Sequence, residues 1–223
     1  MNKTMRVFRS HEGNSVAGSF QSFLVPYSEG MTILDALLYI HKHLDATLAF
    51  RYECRSGVCG TCGVMLNGMP VLSCTTKLDE KRSEDSIGPL SNFPVEKDLI
   101  VNIQPVLERF QKIKPYLDLI RKTQINRSQA QKSKPFRKCI ECGCCIAGSL
   151  TVLEKKDTVF DPMQLVKIAR YVTDPRDGLN RRAMAQAGGV KQYSSEEAKK
   201  LTKICPRGVP IHTAVKLLKG EEY

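Results

Sequence analysis

The chain has 223 residues, with 34 Lys+Arg against 23 Asp+Glu for a formal charge of +11, and is 42% hydrophobic and 26% charged. This is an ordinary globular balance with room for one large domain or two small ones, and it excludes a collagenous, coiled-coil or wholly disordered chain. The most apolar run, Met31 to Ile40, is interrupted by Asp35, so no membrane crossing is expected. The opening Met-Asn-Lys-Thr-Met-Arg-Val-Phe-Arg lacks an apolar core and a small-residue cleavage site. An intracellular protein is expected, cytoplasmic or peripheral on the cytoplasmic face of a membrane. The positive charge suits an acidic partner, an anionic lipid surface or nucleic acid, and equally a plain solvated surface.

In chain order, Thr4 to Arg9 and Ser19 to Pro26 read as short strands. Thr32 opens a capping box with Asp35, and Leu34, Leu37, Leu38 and His41 follow at helical spacing. Asn67-Gly68 between Val64-Met65-Leu66 and Pro70-Val71-Leu72 predicts a hairpin over Gly63 to Cys74, and Leu99 to Ile103 reads as a last strand. Strand, strand, helix, cysteine loop, hairpin, strand is the order of a β-grasp ferredoxin. From Pro105 to Lys138 the chain turns polar and basic and reads as a connection. Beyond it the signals are helical. Asp161-Pro162 starts a helix through Leu165, Ile168, Ala169 and Val172, Ser195-Glu196-Glu197 starts another, and a last helix follows Pro210 through Ile211, Ala214, Leu217 and Leu218. The expected fold class is α+β: a β-grasp domain over 1–104, a connecting segment over 105–138 and an all-α ferredoxin-type domain over 139–223.

Eight of the nine cysteines fall into two tight groups, which in a reducing compartment points to metal rather than disulfides. Cys54, Cys59, Cys62 and Cys74 are spaced C-x4-C-x2-C-x11-C. That spacing lets one loop supply three thiolates to a [2Fe–2S] centre and an adjacent strand the fourth, and Gly57 and Gly60 supply the unusual backbone angles. Cys139, Cys142 and Cys145 form C-x2-C-x2-C, and the distant Cys205-Pro206 completes the half-motif of a [4Fe–4S] centre. Cys144 interrupts this spacing and is read as a buried non-ligand. Zinc is the competing metal, though the gap between Cys54 and Cys59 suits its paired knuckles poorly. There is neither a Gly-x-Gly-x-x-Gly run nor a Walker motif, and His11, His41, His43 and His212 form no evident constellation, so no catalytic residue is expected in this chain.

Tyr52-Glu53-Cys54-Arg55-Ser56-Gly57-Val58-Cys59-Gly60-Thr61-Cys62-Gly63-Val64-Met65-Leu66-Asn67-Gly68, followed by Leu72-Ser73-Cys74, closely resembles the iron–sulfur subunit of succinate dehydrogenase and fumarate reductase. So do Ile113-Lys114-Pro115-Tyr116, Cys139-Ile140-Glu141-Cys142-Gly143-Cys144-Cys145, Asp174-Pro175-Arg176-Asp177 and Cys205-Pro206-Arg207-Gly208. The resemblance implies an electron-transfer subunit between FAD on a flavoprotein partner and a membrane anchor or other acceptor subunit. Cys54, Cys59, Cys62 and Cys74 would hold the flavin-proximal [2Fe–2S] centre, and Cys139, Cys142, Cys145 and Cys205 the distal [4Fe–4S] centre. Arg55 and Arg207 are cationic neighbours that would raise the potentials of the two clusters.

The pattern departs from the family at a third, [3Fe–4S], centre, whose thiolates would stand where this chain has Ser149, Ser195 and Leu201. Leucine cannot bind iron, so that centre is expected to be absent, its place filled by packing. The positions of the family's quinone pocket carry Leu150, Thr151, Glu154 and Glu196, and the chain has no tryptophan, so a quinone site of the usual construction is not expected. Two other readings remain: a zinc-stabilised nucleic-acid-binding module, which the charge invites but no interleaved basic–aromatic motif supports, and a free-standing soluble ferredoxin. The leading reading expects no nucleic-acid partner.

Overall fold

The computed structural model describes residues 2–10, 18–119, 124–155 and 158–221. The chain forms two compact units, Met1–Ile103 with Cys142–Ala147, and Gln104–Glu141 with Gly148–Tyr223.

The first unit is a five-stranded sheet in the order β2-β1-β5-β3-β4 with one helix against it. Strands β1 (Asn2–Ser10) and β2 (Gly18–Pro26) pair antiparallel, Asn2 opposite Pro26 and Ser10 opposite Gly18. Helix α1 (Ile33–His43) starts at the predicted capping box, in which Asp35 N–H donates to Thr32 Oγ1 at 3.2 Å and Thr32 N–H to Asp35 Oδ2 at 2.9 Å. Its buried face, Ile33, Ala36, Leu37 and Ile40, meets Met5, Val7, Phe23, Val25, Val64 and Ile87 in one core. Strands β3 (Gly63–Leu66) and β4 (Met69–Leu72) form the expected hairpin, and both turn residues, Asn67 at φ 49° and Gly68 at φ 80°, are left-handed as a tight hairpin turn requires.

The strand that closes the sheet is one the sequence reading missed. It is β5 (Glu84–Gly88), parallel to β1 and antiparallel to β3, whereas Leu99 to Ile103 contributes only β7 (Ile100–Val101) to a separate ladder with β6 (Val95–Lys97). The reason is electrostatic. Glu84-Asp85-Ser86 reads as a turn, yet Asp85 is buried because Lys3 Nζ, also buried, lies 3.0 Å from Oδ2 and Asn67 Nδ2 donates to Oδ1 at 2.7 Å.

The second unit is helical among its described residues: α2 (Gln104–Lys112), α3 (Arg127–Ser133), α5 (Leu150–Lys155), α6 (Pro162–Val172), α7 (Arg181–Ala187), α8 (Ser195–Ile204) and α9 (Ile211–Lys219). The short α4 (Cys144–Ala147) belongs to the first unit. Helix α6 begins as predicted, with Asp161 accepting from Gln164 N–H at 2.9 Å and Pro162 in the first turn. It packs on α9, which also meets α8, and Leu165, Ile168, Ala169, Ala214, Val215 and Leu218 of these helices are buried.

The units cut the chain differently from the expected 1–104, 105–138 and 139–223. Residues 105–138 are not a free connection: Gln164 Nε2 donates to Arg109 carbonyl at 2.8 Å, and Arg181 reaches the carbonyls of Ile113, Lys114 and Tyr116 at 2.7, 2.9 and 2.7 Å. Residues 142–147 group with the first unit, where Asn92 Nδ2 donates to Ile146 carbonyl at 2.8 Å and Ala147 shares a small core with Leu90 and Val101.

Candidate metal centres

The loop over residues 54–62 runs directly into β3, so Cys62 stands at the foot of the hairpin, and Cys74 follows β4 by two residues at the same foot. Ser73 N–H donates to Cys62 carbonyl at 3.0 Å, extending the ladder past the strands and holding these two cysteines together. Both are buried, whereas Cys54 and Cys59 are partly exposed. Gly57 sits at φ 70° with Thr75 Cγ2 2.9 Å from where a β-carbon would stand, so only glycine fits there.

The backbone of this loop points at sulfur. Ser56 N–H and Cys59 N–H each reach Cys54 Sγ at 3.4 Å. Hydrogen bonds from the Ser56 N–H and hydroxyl, then from Val58 N–H and the Cys59 thiol, bring the Cys54 thiol down to about 6, favouring the thiolate that iron requires. Burial pushes Cys74 up to about 11, reinforced by a hydrogen bond with Cys62 and the charges of Cys62 and Cys54, with Gly57 N–H opposing. The charges of Cys62 and Cys54 thus oppose ionisation of Cys74, an opposition that a bound cation would relieve. The structure thus brings Cys54, Cys59, Cys62 and Cys74 together, and the donor set fits an iron–sulfur cluster.

Of the second group, Cys142, Cys144 and Cys145 lie in the first unit, and Cys139 and Cys205 in the second. Cys144 and Cys145 are buried, the others partly so. Bonds from the Cys144 thiol and N–H outweigh burial and bring Cys142 down to about 7. Cys205 closes α8, its N–H donating to Leu201 carbonyl at 3.1 Å, and its sulfur accepts from Val209 N–H at 3.4 Å. Arg55, at φ 54°, lies over the Tyr52 ring at 5.2 Å, and Arg207 is exposed.

Where the resemblance puts a third cluster, the second unit holds a different network. Ser149, 2% exposed, donates to Glu197 Oε1 at 2.7 Å and accepts from Val152 N–H at 3.2 Å. Thr151 adds its N–H at 3.1 Å and its hydroxyl at 2.5 Å to the same carboxylate. Ser195 pairs with His212 Nε2 at 3.0 Å, and Leu201 is fully buried. Sequence reasoning missed the role of Glu197. Its signal, Ser194-x-x-Glu197, reads as a capping box, but only the Ser194 half forms, because the glutamate turns to the hydroxyls instead. Of the other histidines, His41 Nδ1 lies 3.2 Å from Leu48 carbonyl, His43 lies against Tyr39, and His11 is outside the described residues.

A five-stranded mixed sheet whose adjoining cysteine loop aims backbone N–H groups at sulfur fits the class of iron–sulfur electron carriers. Residues 4–108 match the family described as a 2Fe-2S iron-sulfur cluster binding domain. The chain is similar to the fumarate reductase iron-sulfur subunit of Escherichia coli O6:H1, 31% identical over 88% of this chain and 83% of that one. It is also similar to the mitochondrial succinate dehydrogenase [ubiquinone] iron-sulfur subunit of Dictyostelium discoideum, 30% identical over 92% and 77%. A chain in the structure of the Mycobacterium smegmatis Sdh1 complex in the apo form superposes with a TM-score of 0.85 at 26% identity, covering 98% of this chain and 94% of that one. The chain belongs to the succinate dehydrogenase/fumarate reductase iron–sulfur subunit family. No helix among the described residues is long and apolar enough to cross a membrane.

Proposed function

We propose that this chain is the electron-transfer subunit of a flavin-dependent succinate dehydrogenase/fumarate reductase-type oxidoreductase. Cys54, Cys59, Cys62 and Cys74 would hold a [2Fe–2S] cluster, and Cys139, Cys142, Cys145 and Cys205 a [4Fe–4S] cluster. Such clusters, when bound, take up and release single electrons, here between FAD on a partner flavoprotein and a membrane-anchor or other acceptor subunit. The functional division, a β-grasp domain and a helical domain over 139–223, is part of this reading. So is the location, cytoplasmic or peripheral on the cytoplasmic membrane face.

The observation that carries the reading is the Cys54 sulfur receiving the N–H groups of Ser56 and Cys59 from a loop that carries three thiols to the foot of a hairpin, where Cys74 adds the fourth. This chain's own residues favour the Cys54 thiolate, exclude bulk at Gly57 and supply N–H donors that stabilise negative charge on sulfur. The reading includes two clusters rather than three, since Ser149 is spent on Glu197 and Leu201 has no donor atom. Without the usual third cluster and quinone-pocket residues, the [4Fe–4S] centre would be the last carrier in this chain.

The test is anaerobic purification with natural partners, followed by iron and sulfide analysis and EPR of oxidised and reduced samples. Two reduced-state signals, no intrinsic oxidised-state [3Fe–4S] signal and a co-purifying FAD-containing chain are expected. Zinc with negligible iron would overturn the reading in favour of a zinc-stabilised module, and absence of any flavoprotein would favour a free-standing ferredoxin. Cys205→Ser should abolish or strongly perturb only the [4Fe–4S] signal.

A further inference from the structure

We propose that a cavity of the second unit, between α3 and α6, is a binding site for a small dianionic oxyanion, inorganic phosphate or a short dicarboxylate. The cavity has a volume of about 160 Å³, and its lining includes Arg137, Arg170, Arg176, Asp174, Tyr171 and Gln129. Three arginines and one acidic residue are thus among the lining residues.

That carboxylate is already committed. Arg176 Nε and Nη2 grip Asp174 at 3.0 and 2.9 Å, and this pair holds the Asp174 carboxyl below its usual range. Two positive charges are left uncompensated on the wall, on Arg137 and Arg170, neither of which has a carboxylate partner among the described residues. Both are held by contacts that leave donors to spare. Arg137 Nη2 gives one bond to Ala130 carbonyl at 3.3 Å, and Arg170 lies over the Tyr171 ring at 5.5 Å. The Tyr171 hydroxyl is itself tied to Pro115 carbonyl at 2.6 Å, so this wall is fixed. A guanidinium carries five donors in a planar fork that fits the paired oxygens of phosphate or carboxylate. Among the described residues from Gln124 to Ile140 there are five Lys or Arg and no acidic residue. Like charges gathered around a concavity repel one another, and a bound dianion relieves that repulsion.

The test uses the full-length, cluster-loaded chain, titrated with inorganic phosphate or succinate against sodium chloride at matched ionic strength, read by calorimetry and by thermal midpoint. Saturable binding with a raised midpoint for one or both oxyanions, not reproduced by chloride, is expected; comparing the two arms identifies the anion. Arg137→Gln and Arg170→Gln should each weaken binding roughly tenfold or more. Lys199→Gln, on another helix, should leave it unchanged. If either glutamine variant loses its cluster signals, Arg170→Lys keeps the charge but not the fork and should still weaken binding several-fold. Equal effects of chloride and the oxyanions, or undiminished binding in the arginine variants, would overturn the proposal.

Discussion

Arg181 Nε lies 2.6 Å from Asp177 Oδ2, one turn earlier in the chain, and both side chains are almost fully buried. The same guanidinium satisfies the carbonyls of Ile113, Lys114 and Tyr116 and lies 4.7 Å from the Tyr171 ring centre. One side chain thereby joins two of the stretches that carry the family resemblance, residues 113–116 and 174–177. Removing it takes the guanidinium from a buried carboxylate and from the carbonyls of Ile113 and Tyr116, while Lys114 carbonyl keeps the Tyr116 N–H. Arg181→Met is expected to cost about 3–5 kcal/mol in denaturant titration, and Arg181→Lys to recover little of it because an ammonium cannot copy the fork.

Glu197 ties α5 to α8 by accepting from both Ser149 and Thr151. Glu197→Ala removes the acceptor of the Ser149 and Thr151 hydroxyls and should cost about 2–3 kcal/mol. Its exposed neighbour is the control: Glu196→Ala should change stability by less than about 0.5 kcal/mol. Equal effects at the two positions would remove Glu197 from its bridging role.

Burial pushes the Asp161 carboxyl up to about 6, only partly opposed by the Gln164 N–H, Arg109 and the Met163 N–H. Because the folded state holds this proton more tightly than the unfolded one, the associated stability is full below the ordinary value of 3.8 and is lost as pH rises through about 6. Asp161→Asn keeps an acceptor for the helix cap but cannot titrate. Between pH 5 and 7.5 the stability of the wild type relative to this variant should fall by roughly 1–1.5 kcal/mol, measured in denaturant titrations across that range. A difference independent of pH would refute the assignment.

Two glycines separate strain from crowding. At Gly68 a β-carbon would meet nothing within 4 Å, so Gly68→Ala should cost only its left-handed backbone, about 1–2 kcal/mol, with the iron–sulfur signals per folded chain unchanged. At Gly57 the added carbon collides with Thr75 beside the thiols. Gly57→Ala is therefore expected to lower the [2Fe–2S] EPR intensity several-fold while sparing the [4Fe–4S] signal.

Much of the first centre was legible from residue order because it is built locally. The spacing from Cys54 to Cys62, the left-handed Gly57 and Gly60, the Asn67-Gly68 turn and the caps at Thr32 and Asp161 depend on neighbours a few positions away, and local sterics and hydrogen bonds decide them. What the order of residues left hidden depends on partners distant in the chain. Glu84–Gly88 becomes the strand between β1 and β3 only because Lys3, far away in sequence, neutralises Asp85. The basic stretch after Pro105 joins the helical unit because Arg181 and Gln164 satisfy its carbonyls. Glu197 exchanges a routine capping position for two hydroxyls of another helix. A charged or polar side chain reads as surface until a complementary group meets it in the interior, and only the folded chain supplies that meeting.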